Sequence, residues 1–221
     1  EGDVHALVGP NGAGKTTLFN LLTGFLKPTS GEVLLFGHDA TGYIPEHVAR
    51  LGVARSFQIT SLFEQLTVLE HMELALQSPT NLGYRFWMPE KVLARFRDQA
   101  MDLLGYVGLE KLHRKPAGSL AYGQKRALEL ALALALSPKL LLLDEPTAGM
   151  GLEDVDRTIE LVRKVRGGRT VILVEHNMSV VANLADRVTV LQYGSILAEG
   201  PYQQVRQDPQ VIAAYLGAVH A

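Results

Sequence analysis

Val4-His5-Ala6-Leu7-Val8-Gly9-Pro10-Asn11-Gly12-Ala13-Gly14-Lys15-Thr16-Thr17 is the stretch on which the reading of this chain turns. A short apolar run enters a glycine-rich loop, and an apolar stretch, Leu18-Phe19-Asn20-Leu21-Leu22, leaves it. The order reads as strand, loop, helix. Gly9, Gly14, Lys15 and Thr16 fall at the spacing of a phosphate-binding P-loop. Each residue type has a reason. Glycines let the backbone curl until its N–H groups converge on phosphate oxygens. A helix starting near Lys15 adds its positive end. Lys15 suits the β- and γ-phosphates, the Thr16 hydroxyl suits Mg²⁺, and Thr17 is expected on the α-phosphate. Asn11, Gly12, Ala13, Gly14, Lys15, Thr16 and Thr17 are therefore the candidate nucleotide-binding residues. The alternative, an ordinary glycine turn before a helix, fits the flanking pattern less well.

Working outward, residues 31–37 read as a strand bounded by glycine turns, and residues 54–58 as another. From about residue 70 to 120 the pattern is helical. Pro89 suits a first turn, Val92, Phe96, Ala100 and Leu104 recur at helical spacing, and Gly105 and Gly108 punctuate the end. Residues 124–136 form a helix apolar nearly all round. Residues 140–143 are four leucines, the pattern of a strand buried on both faces. An amphipathic helix over 153–166 carries Val155, Ile159, Val162 and Val165 on one stripe. Residues 171–174 are a further buried strand, Tyr193-Gly194 turns a hairpin, and Asp208-Pro209 opens a last helix with Asp208 as cap. Strands alternating with helices give an α/β fold with a mainly parallel sheet core.

The leucine strand ends in Asp144-Glu145. In open α/β sheets ligands bind at the carboxyl ends of strands. Asp144 is placed to hold Mg²⁺ through water, and Glu145, one residue on, to polarise an attacking water. Two solvated acids at a strand end would be the bland reading, and the P-loop upstream outweighs it.

Bulk properties narrow the partners. With a net charge of -2 the chain has no broad basic face, so a nucleic-acid partner is disfavoured. Cysteine is absent, which rules out disulfides and thiolate metal sites. The most apolar stretch, residues 127–143, is interrupted by Glu129, Ser137-Pro138 and Lys139, and so falls short of a membrane span. His5, His38, His47, His71, His113 and His220 share no metal-ligand spacing. Tyr84, Phe86 and Trp87 read as packing within the helical region.

A third element sharpens the class. Ser119-Leu120-Ala121-Tyr122-Gly123-Gln124-Lys125-Arg126 resembles the signature motif of ABC ATPases, and it lies between the P-loop and the acids as in that family. Arg55-Ser56-Phe57-Gln58 resembles the Q-loop, and Val174-Glu175-His176-Asn177 the switch histidine. The resemblance covers essentially the whole chain. It implies one ABC ATPase domain over residues 1–221, with a P-loop NTPase core and an inserted helical subdomain near 70–120. It also implies ATP and Mg²⁺ as ligands and a head-to-tail pair with a second ATPase subunit, homo- or heterodimeric. ATP on one subunit's P-loop is then closed over by the other's Ala121, Gly123 and Gln124. His176 contacts the γ-phosphate and helps orient Glu145, and Gln58 reaches Mg²⁺ or the attacking water. Lys15, Gln58, Glu145 and His176 are the catalytic candidates, and Thr16, Gln58 and Asp144 the metal candidates.

The sequence departs from the family pattern at several points. Ala121 stands where serine is usual, Tyr122 replaces the first signature glycine, and Gly151 stands where aspartate is usual. The family also has a strand ahead of the P-loop strand, with an aromatic that stacks on adenine. Gly9 is too near Glu1 for that segment, so an N-terminally truncated chain is expected and no stacking residue is assigned. Gly9 to Asn20, the Leu-Ala-Tyr-Gly-Gln signature, Asp144 to Met150 and Ala214-Tyr215-Leu216-Gly217 resemble the ATPases of branched-chain amino acid importers. Such systems pair two ATPases with two membrane permeases and a periplasmic binding protein, which implies a peripheral location on the cytoplasmic face of the inner membrane. The surface around residues 59–74 is the expected permease contact. Related systems for urea or amide import and lipopolysaccharide export are the alternatives. A non-transport ABC ATPase usually carries tandem domains or a coiled-coil insertion, and a binding module without turnover would not need Lys15, Asp144, Glu145 and His176 together.

Overall fold

Apolar strands buried on both faces dictate the architecture. In the computed structural model, which describes residues 2–56, 62–77 and 90–217, six strands form one sheet in the order β4-β5-β6-β1-β7-β8. These are β1 (Val4–Val8), β4 (Val53–Ser56), β5 (Leu140–Asp144), β6 (Thr170–Val174), β7 (Arg187–Gln192) and β8 (Ser195–Gly200). All pairings are parallel except β7 with β8. Every residue of β5 is buried. Because side chains alternate across a sheet, Leu141 and Leu143 join one core cluster while Leu140 and Leu142 join another.

The first cluster packs one face of the sheet against α3 (Val68–Gln77), α4 (Glu90–Tyr106), α5 (Tyr122–Ala135) and α6 (Leu152–Val165). The second packs the opposite face against α1 (Lys15–Leu22) and α2 (Pro45–Arg50), centred on the fully buried Phe19. A third cluster joins β1 and β7 to α7 (Met178–Leu184), α8 (Tyr202–Val205) and α9 (Pro209–Gly217). Asp208 caps α9 by accepting from the Gln210 amide at 2.8 Å. No helix among the described residues is long and apolar enough to cross a membrane.

Several local elements differ from the sequence expectations or lie partly outside the described residues. Residues 31–37 do not form one strand. Phe36 and Gly37 both take positive φ (53° and 80°), which folds the run into a hairpin of β2 (Leu34–Leu35) and β3 (His38–Asp39), apart from the main sheet. The strand expected over 54–58 is Val53–Ser56, and residues 57 and 58 lie outside the described residues. Gly105 lies inside α4, and the chain turns at Gly108, whose φ is 77°. Helices α2 and α7 were not anticipated: both are short, and each begins without a long apolar stripe. Tyr84, Phe86 and Trp87 lie outside the described residues.

Register positions the site. Leu7 of β1 and Asp144 of β5 both pair with Val174 of β6, so the carboxyl ends of these strands stand side by side. The glycine loop, the acid pair and the Glu175-His176 turn leave from that row.

His5, the second residue of β1, is half-buried with Nε2 2.7 Å from Thr189 Oγ1. Burial lowers its pKa below the ordinary 6.5; Glu199 and Asp3 oppose that, and Arg187 reinforces it. The folded chain thus favours neutral His5. Its contribution is complete above 6.5 and is lost as pH falls from there through the lowered folded value. His5→Gln is expected to flatten the acid-side fall of the thermal midpoint, measured by scanning fluorimetry across a buffer series. An unchanged slope would place the titration elsewhere.

Candidate active site

The glycine loop leaves β1 under a tight steric constraint. Gly9 has φ 153°, and a Cβ there would lie 2.2 Å from the Leu191 carbonyl oxygen, so only glycine fits. Gly14, the N-cap of α1, has φ 102°, a left-handed conformation that side chains resist. The hairpin turn at Tyr193-Gly194 buttresses the loop from outside the motif, since the Gly194 amide donates to the Ala13 carbonyl at 3.0 Å. Lys15 is buried, and its Nζ donates to the carbonyls of Gly9 (2.8 Å) and Pro10 (3.0 Å). Burial lowers the Lys15 pKa, while Glu145 and Asp144 pull it back up. Asn11, Gly12, Thr16 and Thr17 are exposed around this ammonium, with Ala13 tucked beneath. Main-chain amides at a helix start, an ammonium and two hydroxyls form a donor set that fits a polyphosphate. The Thr16 hydroxyl and the Asp144 carboxylate are oxygen donors of the kind Mg²⁺ takes.

Asp144 is held from the opposite side. Arg55 Nη2 lies 2.7 Å from Asp144 Oδ2, both side chains being under one-tenth exposed at 9% and 4%. The same guanidinium donates from Nη1 to Asn20 Oδ1 at 2.7 Å and lies 5.4 Å from the Phe19 ring centroid. One arginine therefore ties β4, β5 and the P-loop helix together. Sequence reasoning included Arg55 only as a neighbour of Gln58. The available signal was a cation in a short strand adjoining a strand that ends in a buried acid. Gln58 itself lies outside the described residues.

Glu145 and His176 meet although 31 positions separate them in the chain: His176 Nε2 is 2.7 Å from Glu145 Oε1. Glu145 takes φ 49°, unusual for a residue with a side chain, and its amide donates to the Val174 carbonyl at 2.9 Å. Such a conformation costs of order 1–3 kcal/mol and persists only when its surroundings fix it. The side chains of His176 and Glu145 are 45% and 23% exposed, open enough for a substrate to reach.

Lys15, Asp144, Glu145 and His176 thus gather at one end of the sheet. Ala121, Gly123 and Gln124 make their contacts with each other and with the segment after the acids. Gln124 Oε1 accepts from the Ala121 amide at 3.1 Å at the exposed start of α5. Ala121 has no hydroxyl to return the cap. A Cβ on Gly123 would lie 3.0 Å from Asp154 Cγ, so a side chain there would have to displace the Asp154 carboxylate. Tyr122, the departure from the signature pattern, donates its hydroxyl to the Ala148 carbonyl at 2.9 Å and receives Arg126 Nη2 at 3.1 Å.

A mostly parallel sheet, helices on both faces and a glycine loop feeding a helix define a P-loop nucleotide hydrolase. Comparison with known proteins agrees. The family described as "ABC transporter" matches residues 1–148, and the one described as "Branched-chain amino acid ATP-binding cassette transporter" matches residues 195–221. The high-affinity branched-chain amino acid transport ATP-binding protein LivG of Escherichia coli K12 is 38% identical over 97% of this chain and 87% of its own length. BraF of Pseudomonas aeruginosa, of the same description, is 38% identical over 98% and 88%. The crystal structure of the ADP conformation of MJ1267, an ATP-binding cassette of an ABC transporter, superposes with a TM-score of 0.85 at 33% identity, covering 98% of this chain and 89% of that one. The chain belongs to the ABC transporter family, as one of its ATPase cassettes.

The Arg55–Asp144 pair has a measurable consequence. Removing one partner of a buried pair strands the other's charge and costs about 3–5 kcal/mol. Arg55→Met is expected to lower the urea-unfolding free energy by about that amount, and Asp144→Asn in the same chain to recover part of it. A loss below about 1 kcal/mol would be the size expected of a surface pair.

Proposed function

We propose that this chain is the ATP-hydrolysing subunit of a branched-chain amino acid importer, coupling ATP-driven closure of an ATPase pair to membrane permeases. The observation that carries the hydrolytic part is the 2.7 Å contact between Glu145 and His176 at the strand end beside Lys15. The C-terminal match over residues 195–221 and the names of the relatives support the branched-chain assignment.

Each site residue has a role in this reading. Lys15 and the amides of residues 11–17 neutralise and orient the β- and γ-phosphates. Glu145 takes a proton from the attacking water, and His176 fixes the carboxylate's orientation and faces the γ-phosphate. Thr16 and Asp144, with Gln58 as a third candidate, would hold Mg²⁺, and the ion would supply neutralisation of phosphate charge. Phosphoryl transfer needs little covalent chemistry from the protein, so positioning and electrostatics carry the rate. Ala121, Gly123 and Gln124 close over the nucleotide of a second ATPase subunit, aided by the α5 N-terminus. The cassette is read as one domain over residues 1–221 with a helical subdomain near 70–120, peripheral on the cytoplasmic face of the inner membrane beside its permeases and, through them, a periplasmic binding protein.

Glu145→Gln is expected to bind ATP as the parent does and to lose turnover by about 10²–10⁴-fold, the usual share of a general base. Equilibrium dialysis with labelled ATP and phosphate release measure the two. Full turnover would remove Glu145 from its role.

The permease contact is placed on residues 59–74, of which 62–74 are described. Phe63 and Leu74 are 67% and 51% exposed there, large apolar side chains suited to a short permease helix. Phe63→Asp is expected to abolish transport in vesicles while ATPase activity of the isolated chain stays within about twofold. Joint loss of both would argue against this surface.

A further inference from the structure

Beneath the Glu145–His176 contact lies a third carboxylate that the roles above do not use. Glu175 is only 3% exposed. Its two oxygens serve different segments. Oε1 accepts from the Thr147 amide at 3.0 Å and from the Thr147 hydroxyl in a short hydrogen bond. Oε2 accepts from the amides of His176 (3.0 Å) and Asn177 (3.2 Å). These donors lie within two residues of Glu145 on one side and of His176 on the other. Thr147 is itself buried, and it is the third residue of the tight turn closed by the Ala148 amide donating to the Glu145 carbonyl at 3.1 Å.

We propose that Glu175 is a positioning residue for the Glu145–His176 pair, clamping the turn after the acid strand to the turn after β6 so that the two side chains meet. The inference rests on the reading of Glu145 as the base. Glu145 sits at φ 49°, and a side-chain-bearing residue stays in that region only where neighbouring bonds fix it. One bond runs from its amide to Val174; the Thr147 bonds to Glu175 supply the restraint on the other side of the turn. The clamp requires an acceptor-only group. All four partners donate, so an ionised carboxylate satisfies them together, whereas an amide turns an NH₂ toward two N–H donors. Aspartate is one methylene too short to span both turns. Glu175 is buried away from solvent, and its four hydrogen bonds go to Thr147 and to two backbone amides, so it acts through geometry rather than on the reacting atoms.

The test is Glu175→Gln, nearly isosteric, compared with Glu145→Gln and with the double variant, each assayed for ATP affinity and turnover. We expect Glu175→Gln to lower kcat by about 10–100-fold, the size of effect a displacement near 1 Å produces, with the ATP dissociation constant moved less than about twofold. In the Glu145→Gln background the same change is expected to cost less than about twofold more, because the group it positions is gone. If Glu175→Gln does not fold, Thr147→Val removes one of the bonds, and a kcat loss of about threefold or more at unchanged affinity is expected. Turnover at the parent's rate in Glu175→Gln, full additivity in the double variant, or a parallel fall in affinity and kcat overturns the inference. An unimpaired Glu145→Gln sinks the reading of the site instead, so the two failures are told apart.

Discussion

Parallel hydrogen bonding among β5, β6 and β1 is the constraint on which the rest depends. Val174 is the common reference, paired with Asp144 on one side and Leu7 on the other. Three loops far apart in sequence therefore start at one level and on one edge. A shift of one residue in any of these strands would turn its buried leucines and valines to the wrong face, since the side-chain period is two. Hydrophobic burial thus fixes the register, and the register fixes where Gly9, Glu145 and Glu175 begin their turns.

Charge is the second layer, and it is arranged in tethered units. Lys15 bonds the carbonyls of its own loop, Arg55 is divided between Asp144 and Asn20, and Glu175 is saturated by four donors. Buried charge is tolerated only when hydrogen-bonded or paired. The arrangement satisfies that rule, and where the partners come from separate segments, as for Arg55 and Glu175, the charged side chain also works as a strut. The strain at Glu145 is held inside this frame.

The departures from the signature pattern become intelligible in the same terms. Tyr122 anchors the segment after the acids through Ala148 and is itself covered by Arg126, 5.4 Å from its ring centroid. Gly123 allows Asp154 to approach closely. At this helix start Gln124 accepts from the Ala121 amide, Ala121 and Gln124 are exposed, and Gly123 is half-buried.

Much was determined by sequence alone. Glycine spacing specified the cradle, since only glycine permits those backbone angles. A run of leucines ending in Asp144-Glu145 specified a doubly buried strand with acids at its tip. The order of motifs specified the family. The family resemblance implied that His176 orients Glu145, but local pattern could not reveal the other contacts between segments distant in the chain: Arg55 reaching both Asp144 and Asn20, and Glu175 clamping two turns. Those required the sheet order and register, because a side chain's partner across more than 25 positions is set by which strands become neighbours. Short elements such as α2 and the β2–β3 hairpin were equally out of reach, since their form follows from the packing around them and not from any periodicity of their own.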